Sequence, residues 1–340
     1  MDTVGELLRD AGADPTRLNA QFDQLPVPAS LDYALDVETP PAAVTAVPEL
    51  PDGRVVVLAG PEVVRTRCIE GLRRFAGAAN APVANTWGAK GVFPWDSPHH
   101  MGTCGLQARD FELLDFEAYD LILATGTDPL ESPAVRFALA PVIDVDPPAL
   151  SALAERVTPA PGPIPSNELY ERLAAVAQPG YVDERVPLHP ARAVADLRAA
   201  LPPGGIVTAD PGPAGLWVAR TFPTTEPGSV VVPATAAPGI AAALALIAAL
   251  RGREAIAVTT EPLDHATLAV LELATQLAAH FVVDVWGAGG PVRAATDHLE
   301  RLRAAEHDPG VAIVDVPVDH SRTAELVDAA GPVVAWGGRC

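Results

Sequence analysis

Four side chains between Asp96 and Cys104 form the densest set of candidate metal ligands. Asp96, His99, His100 and Cys104 stand at i, i+3, i+4 and i+8, a spacing that converges on a helix, whereas Pro98 favours a loop. Asp264-His265 has the composition of a general acid–base pair, and His265 equally suits the first turn of a following helix. Cys104, in Gly102-Thr103-Cys104-Gly105, would need an adjacent base to act as a nucleophile; without one it reads as a small buried side chain. Gly60-Pro61-Glu62 follows an apolar run, and such a strand-to-helix turn can offer backbone N–H groups to a phosphate. Glu62 would repel that anion, and the helix dipole favours a carboxylate there in any case. These residues give no metal site and no catalytic residue.

The elements that must carry them are legible as apolar runs. Strands are expected over residues 54–59, 81–84, 119–126 and 141–146, with a helical pattern through Cys68, Leu72 and Phe75. Prolines 159, 161, 163 and 165 then mark a stiff connector within 157–180. Beyond it, helices are expected over 190–200, 239–250, 266–279 and 291–305, alternating with strands over 205–210, 255–259, 281–286 and 311–316. Continuous apolar strands separated by helices are the signature of parallel sheets covered on both faces. The expected fold class is α/β, with two doubly wound parallel-sheet domains.

Composition narrows the partners. The chain has 340 residues, 43 Asp+Glu against 23 Lys+Arg, and a net charge of −20. That acidity argues against a nucleic-acid backbone and an anionic membrane. The richest apolar window, residues 234–250, is broken by Pro238 and Gly239, so no membrane span is expected. The N-terminus carries no basic, apolar leader pattern. Cys68, Cys104 and Cys340 include no CxxC pair and fit a reducing, cytoplasmic setting. Trp87, Trp95, Trp217 and Trp286 read as core or interface residues. Lys90 is the only lysine, beside 22 arginines.

Several segments are familiar in order. Residues 81–94 (Ala-Pro-Val-Ala-Asn-Thr-Trp-Gly-Ala-Lys-Gly-Val-Phe-Pro) followed by Pro98-His99-His100-Met101-Gly102 resemble the central domain of thiamine-diphosphate enzymes of the acetolactate synthase type, with its "PV" strand, "GKGxFP" loop and "HPxxxG" segment. Residues 119–126 resemble its "aDlvlavG", and 142–147 its "IDIDP". In the second half, 206–212 with Trp217 resembles "ivvtDvGxxxxW", 237–243 "GxGLPAAIGA", Glu272-Leu273-Ala274-Thr275 "ELxTa", and 311–319 "vlIDVPVD". The resemblance covers residues 51–320. It implies a Rossmann-like central domain over 51–157 and a diphosphate-binding-like domain over 188–340; the apolar spacing of Val4, Leu7 and Leu8 and the prolines from Pro26 to Pro51 add an N-terminal helix and Pro-rich arm over 1–50, and the later prolines a linker over 158–187.

The departures bear on function. The resemblance places cofactor-binding positions at Asp210, Gly212, Gly239 and Asp264. The "GDG" turn that holds Mg²⁺ falls on Pro262-Leu263-Asp264, and the "NN" position on Gly289-Gly290. One carboxylate is displaced there and the second ligand has no side chain, whereas Mg²⁺ wants near-octahedral oxygen donors. Only about 50 residues precede the central-type region, so the pyrimidine-binding domain with its catalytic Glu is expected to be lacking. The expectation is therefore a degenerate relative, a pseudoenzyme with its magnesium site lost, acting as a structural or regulatory partner. No cofactor is expected from this chain alone, thiamine diphosphate and Mg²⁺ becoming possible with a partner. Two alternatives stand beside it: a subunit of a split thiamine-diphosphate-dependent 2-oxo-acid decarboxylase or carboligase, completed by a separate pyrimidine-domain subunit, and a nucleotide- or CoA-binding module. A homodimer or higher homo-oligomer is expected under each.

Overall fold

The computed structural model describes residues 47–51 and 53–338. Most of the arm expected over 1–50, and Cys340, lie outside the described residues. Within the described part of that range, Val47 and Leu50 pack against the first sheet's core.

The first half runs β1 (Val55–Ala59), α1 (Glu62–Arg65), α2 (Ile69–Ala79), β2 (Val83–Thr86), β3 (His100–Cys104), α3 (Asp110–Leu113), β4 (Leu121–Thr125), α4 (Ala134–Phe137), β5 (Val142–Val145) and α5 (Leu150–Leu153). After α6 (Glu168–Tyr181) come α7 (Pro190–Ala200), β6 (Ile206–Ala209), α8 (Pro213–Thr221), β7 (Val230–Val231), α9 (Ile240–Leu250), β8 (Ala255–Thr260), α10 (His265–Gln276), β9 (Phe281–Gly287), α11 (Ala295–Ala305), β10 (Val311–Pro317) and α12 (Thr323–Ala330).

Two parallel five-stranded sheets result, ordered β3-β2-β1-β4-β5 and β10-β9-β8-β6-β7. Each sheet is doubly wound. The first strand of each half lies inside its sheet, so each order reverses beside it: between β1 and β4 in one sheet, between β6 and β8 in the other. Alternation along the strands divides the cores. Val55, Val57 and Ala59 face one cluster, and Val56 and Leu58 the opposite one. In the second sheet Val207 and Val258 face one side, and Ile206 and Ala257 the other. Burial on both faces is what makes these strands apolar throughout.

Two elements depart from the sequence expectation. The 98–104 stretch, expected as a loop, ends in the strand β3, an edge that pairs only with β2. The Pro-rich connector stays irregular only to residue 167, where the Asn167 side chain accepts the Tyr170 N–H and caps α6. Leu169, Leu173 and Ala177 give α6 an apolar stripe at helical spacing. Through it the helix packs against both halves: Leu169 belongs to the first-sheet core, and Leu173 and Val176 lie against the second.

Candidate functional site

In doubly wound sheets the crevice outside the strand C-termini, where the strand order reverses, is the usual ligand position. The four residues marked by the sequence stand at that end of the second sheet. Asp210 ends the β6 run, Gly212 caps α8, Gly239 caps α9 and Asp264 caps α10. Three of them form one polar network. The Asp210 carboxylate accepts the Thr259 hydroxyl at 2.6 Å and the Ala241 N–H at 3.0 Å. Asp264 accepts the Thr267 N–H at 2.7 Å and the Gly239 N–H at 3.2 Å. Gly212 stands apart at φ 144° with open space beside its Cα.

The electrostatics follow from those partners. Burial pushes the Asp210 carboxyl above its ordinary range against the hydrogen bonds of Thr259 and Ala241, and the neighbouring Asp264 charge pushes the same way. Asp264 is held low, first by the Thr267 amide and then by other backbone bonds such as that of Gly239. It is therefore an N-cap that also ties α9 to α10, rather than half of an acid–base pair with His265. Between β8 and β9, Glu261 reaches across and accepts the Ala288 N–H at 3.2 Å. Its carboxylate fills the space above Gly287.

Mg²⁺–diphosphate needs converging oxygen donors and free N–H groups. Here the oxygens of Asp210 and Asp264 already meet backbone or hydroxyl donors. Gly289 and Gly290 bring no side-chain donor, Pro262 has no N–H, and Glu261 adds negative charge on the Ala288 amide. No group of three or more His, Cys, Asp or Glu among the described residues could hold a metal.

The corresponding point of the first sheet is closed. A Cβ on Gly60 would run into the Gly126 carbonyl oxygen and Thr127 Cα. The Glu62 N–H at the start of α1 already donates to Gly126 O at 3.0 Å. At this turn the space beside Gly60 and the Glu62 amide are both taken.

The other candidates separate in space. His99 Nδ1 bonds the Ala81 carbonyl at 2.9 Å, and Cys104 is fully buried, its thiol pushed well up by burial and then by Asp110. That thiol stays protonated and unreactive. Trp87, Trp217 and Trp286 are core residues, whereas Trp95 is 45% exposed.

Two of the buried charge groups that escaped sequence reasoning lie where the halves meet. Arg220 of α8 donates to Asp110, Gln107 and the Thr103 carbonyl, bolting the second half to the first; burial pushes Asp110 up in spite of that guanidinium. Beside it Lys90 is buried. Burial first, then the Arg220 charge, lower Lys90 to about 7. Being the chain's single lysine, in so acidic a composition, is the one signal by which it could have been singled out.

Residues 52–157 match the family model of the thiamine pyrophosphate enzyme central domain. No curated protein matches the chain significantly. Among solved structures, the chain is similar to a Mycobacterium smegmatis protein described as a candidate thiamin diphosphate-dependent enzyme, with TM-score 0.61 and 19% identity. It is also similar to the thiamine diphosphate-dependent 4-hydroxybenzoylformate decarboxylase of Rhodococcus jostii RHA1, with TM-score 0.62 and 18% identity. Each alignment covers 78% of this chain and 61% of the other, so the chain spans about three fifths of those proteins' length. The likeness in fold extends beyond the central domain.

Proposed function

We propose that this chain, a thiamine-pyrophosphate-enzyme-like protein with the family's central domain at residues 52–157, does not bind thiamine diphosphate by itself and serves as a structural or regulatory partner. The observation that carries this reading is the commitment of both pole carboxylates. Asp264 is spent on the amides of Thr267 and Gly239, and Asp210 on Thr259 and Ala241. The Glu261 carboxylate on the Ala288 amide supports it further, because a diphosphate would meet a charge of its own sign there. A nucleotide or CoA on the first sheet is disfavoured by the closed Gly60–Gly126 turn.

A second reading keeps the chain as one subunit of a split 2-oxo-acid decarboxylase or carboligase. The observation in its favour is the open turn at Gly212, where nothing lies within 4 Å of a Cβ position.

Calorimetric titration of thiamine diphosphate with Mg²⁺ into the purified chain tests the proposal. The expected result is no heat up to millimolar cofactor. A micromolar constant, about −8 kcal/mol, would overturn the proposal and point to a search for a pyrimidine-domain subunit.

A further inference from the structure

The structure's least explained charge is Lys90. It is 6% exposed, yet its ammonium makes only a long 3.4 Å hydrogen bond, to Thr103 Oγ1. Among the described residues no carboxylate pairs with it; the charge that acts on it is that of Arg220, of the same sign. Arg220 has its own counter-ion in Asp110. A buried ammonium without a partner is costly, and 43 acidic residues were available to supply one. Lys90 instead lines a cavity of about 100 Å³ between the central half, α6 and the chain leaving α8, and no Asp or Glu lines that cavity.

The cavity is built for something larger than a water. A single water needs about 10–15 Å³ by this kind of measure, so a ligand of several non-hydrogen atoms fits. Its polar end holds Lys90, Thr103, His100 and the edge of Arg220, and the rest of the lining is predominantly apolar, with Trp95, Leu173 and Phe222. His100 Nδ1 is buried there without a partner. Burial, and then the Lys90 charge, hold His100 down at about 3, so its ring is neutral and free to donate or accept. Tyr170 edges onto that ring and, with the half-exposed Trp95, frames the mouth.

We propose that this cavity binds a short monocarboxylate, the carboxylate pairing with Lys90 and hydrogen-bonding His100, and the apolar body lying against Trp95, Leu173 and Phe222. The ligand supplies the missing counter-ion. Lys90, lowered to about 7 by burial and Arg220, must be protonated to hold it, so binding takes up a proton and strengthens as the pH falls through that value. Around the ammonium stand Arg220 of α8, ion-paired with Asp110, the neutral ring of His100 of β3, and Tyr170 and Tyr181 of α6, whose hydroxyls burial pushes up. Lys90 is the group that changes charge near neutrality.

Because Lys90 is the only lysine, the full chain labelled with ¹³C-lysine gives one Cε–Hε signal per molecule. Sodium butyrate is the probe and neutral butyramide its control. The expected result is a saturable shift of the Lys90 signal with butyrate and none with butyramide. Affinity should fall about tenfold between pH 6 and pH 8, as the ammonium is lost. By calorimetry Lys90→Met, which keeps the volume and removes the buried charge, should bind butyrate at least about tenfold more weakly. No shift at tens of millimolar butyrate, an equal shift with butyramide, or undiminished binding by Lys90→Met would each overturn the proposal. The first two readouts use the unaltered chain and do not depend on whether the variant folds.

Discussion

The carboxylate of Glu261 stands in the space that a Cβ on Gly287 would occupy. It bridges the end of β8 to the end of β9, with the Ala288 N–H as its donor. Glu261 is an exposed, flexible side chain, so it can swing aside. Gly60 offers the contrast, since a Cβ there meets the backbone of Gly126 and Thr127, which cannot move without parting the β1 and β4 turns. Gly287→Ala should therefore cost under about 1 kcal/mol, and Gly60→Ala about 3 kcal/mol or more. Paired denaturant unfolding curves check the difference; equal costs would mean that the first turn is looser than described.

Asp264 distinguishes a cap from a metal ligand. As a cap, its removal in Asp264→Ala should cost about 1 kcal/mol, because the Thr267 and Gly239 amides lose their acceptor. Asp264→Asn keeps one acceptor oxygen for the Thr267 N–H and puts its NH2 against the Gly239 N–H, so it should recover the cap and not the tie to α9. Mg²⁺ at millimolar concentration should leave the unfolding midpoint of the parent and both variants unchanged. A midpoint that rises with Mg²⁺ in the parent and not in Asp264→Asn would identify a ligand instead.

Much of the fold is legible in the sequence because double burial leaves strands such as Ile206–Ala209 and Phe281–Gly287 apolar throughout. The edge strand His100–Cys104 lacks that run and is hidden behind Pro98. The helix Glu168–Tyr181 is hidden by the prolines before it, its cap Asn167 being the one local sign. At the site, motif order puts Asp210, Gly239 and Asp264 at the ends of strands in one sheet. That two of them serve as acceptors for backbone amides depends on which N–H groups the turns present, which no spacing encodes. The Lys90 cavity is assembled from three distant stretches, 90–103, 170–181 and 220–223, and leaves no local pattern to read.

The helices α9 and α10 bury one face of the second sheet and carry exposed apolar side chains of their own. Ile247 is 42% exposed, Leu268 42% and Leu273 45%, on neighbouring helices that share one core cluster. We expect these exposed apolar side chains to meet a second copy of the chain, in a two-fold contact. Sedimentation should find a dimer at micromolar concentration, and Ile247→Asp with Leu273→Glu should weaken it at least about tenfold. A parent chain that sediments as a monomer would remove this face as the dimer contact.

His298 of α11 lies between two carboxylates. Its Nδ1 is 3.0 Å from Asp196 Oδ2, and its Nε2 is 3.2 Å from both oxygens of Asp284. With an acceptor at each nitrogen the ring holds both protons and is an imidazolium. Each carboxylate has one further donor: Arg192 Nε on Asp196 at 3.0 Å and Trp286 Nε1 on Asp284 at 2.8 Å. Burial alone would lower the His298 pKa, but Asp284 and Asp196 outweigh it and raise the value from 6.5 to about 9. A folded-state pKa above the unfolded one contributes stability that is fully present below about pH 6.5 and is lost as the pH rises through about 9. Unfolding free energy should therefore fall between pH 7 and pH 9.5 with an uptake of about one proton per molecule on folding. His298→Leu should abolish that slope and cost about 3 kcal/mol at pH 7, since it leaves the buried Asp284 carboxylate with the Trp286 indole N–H and no cation, while Asp196 keeps Arg192. A pH slope that survives in His298→Leu would assign the titration to another group, and an unchanged stability would mean that the imidazolium contributes nothing to holding the two elements, α7 and β9, together.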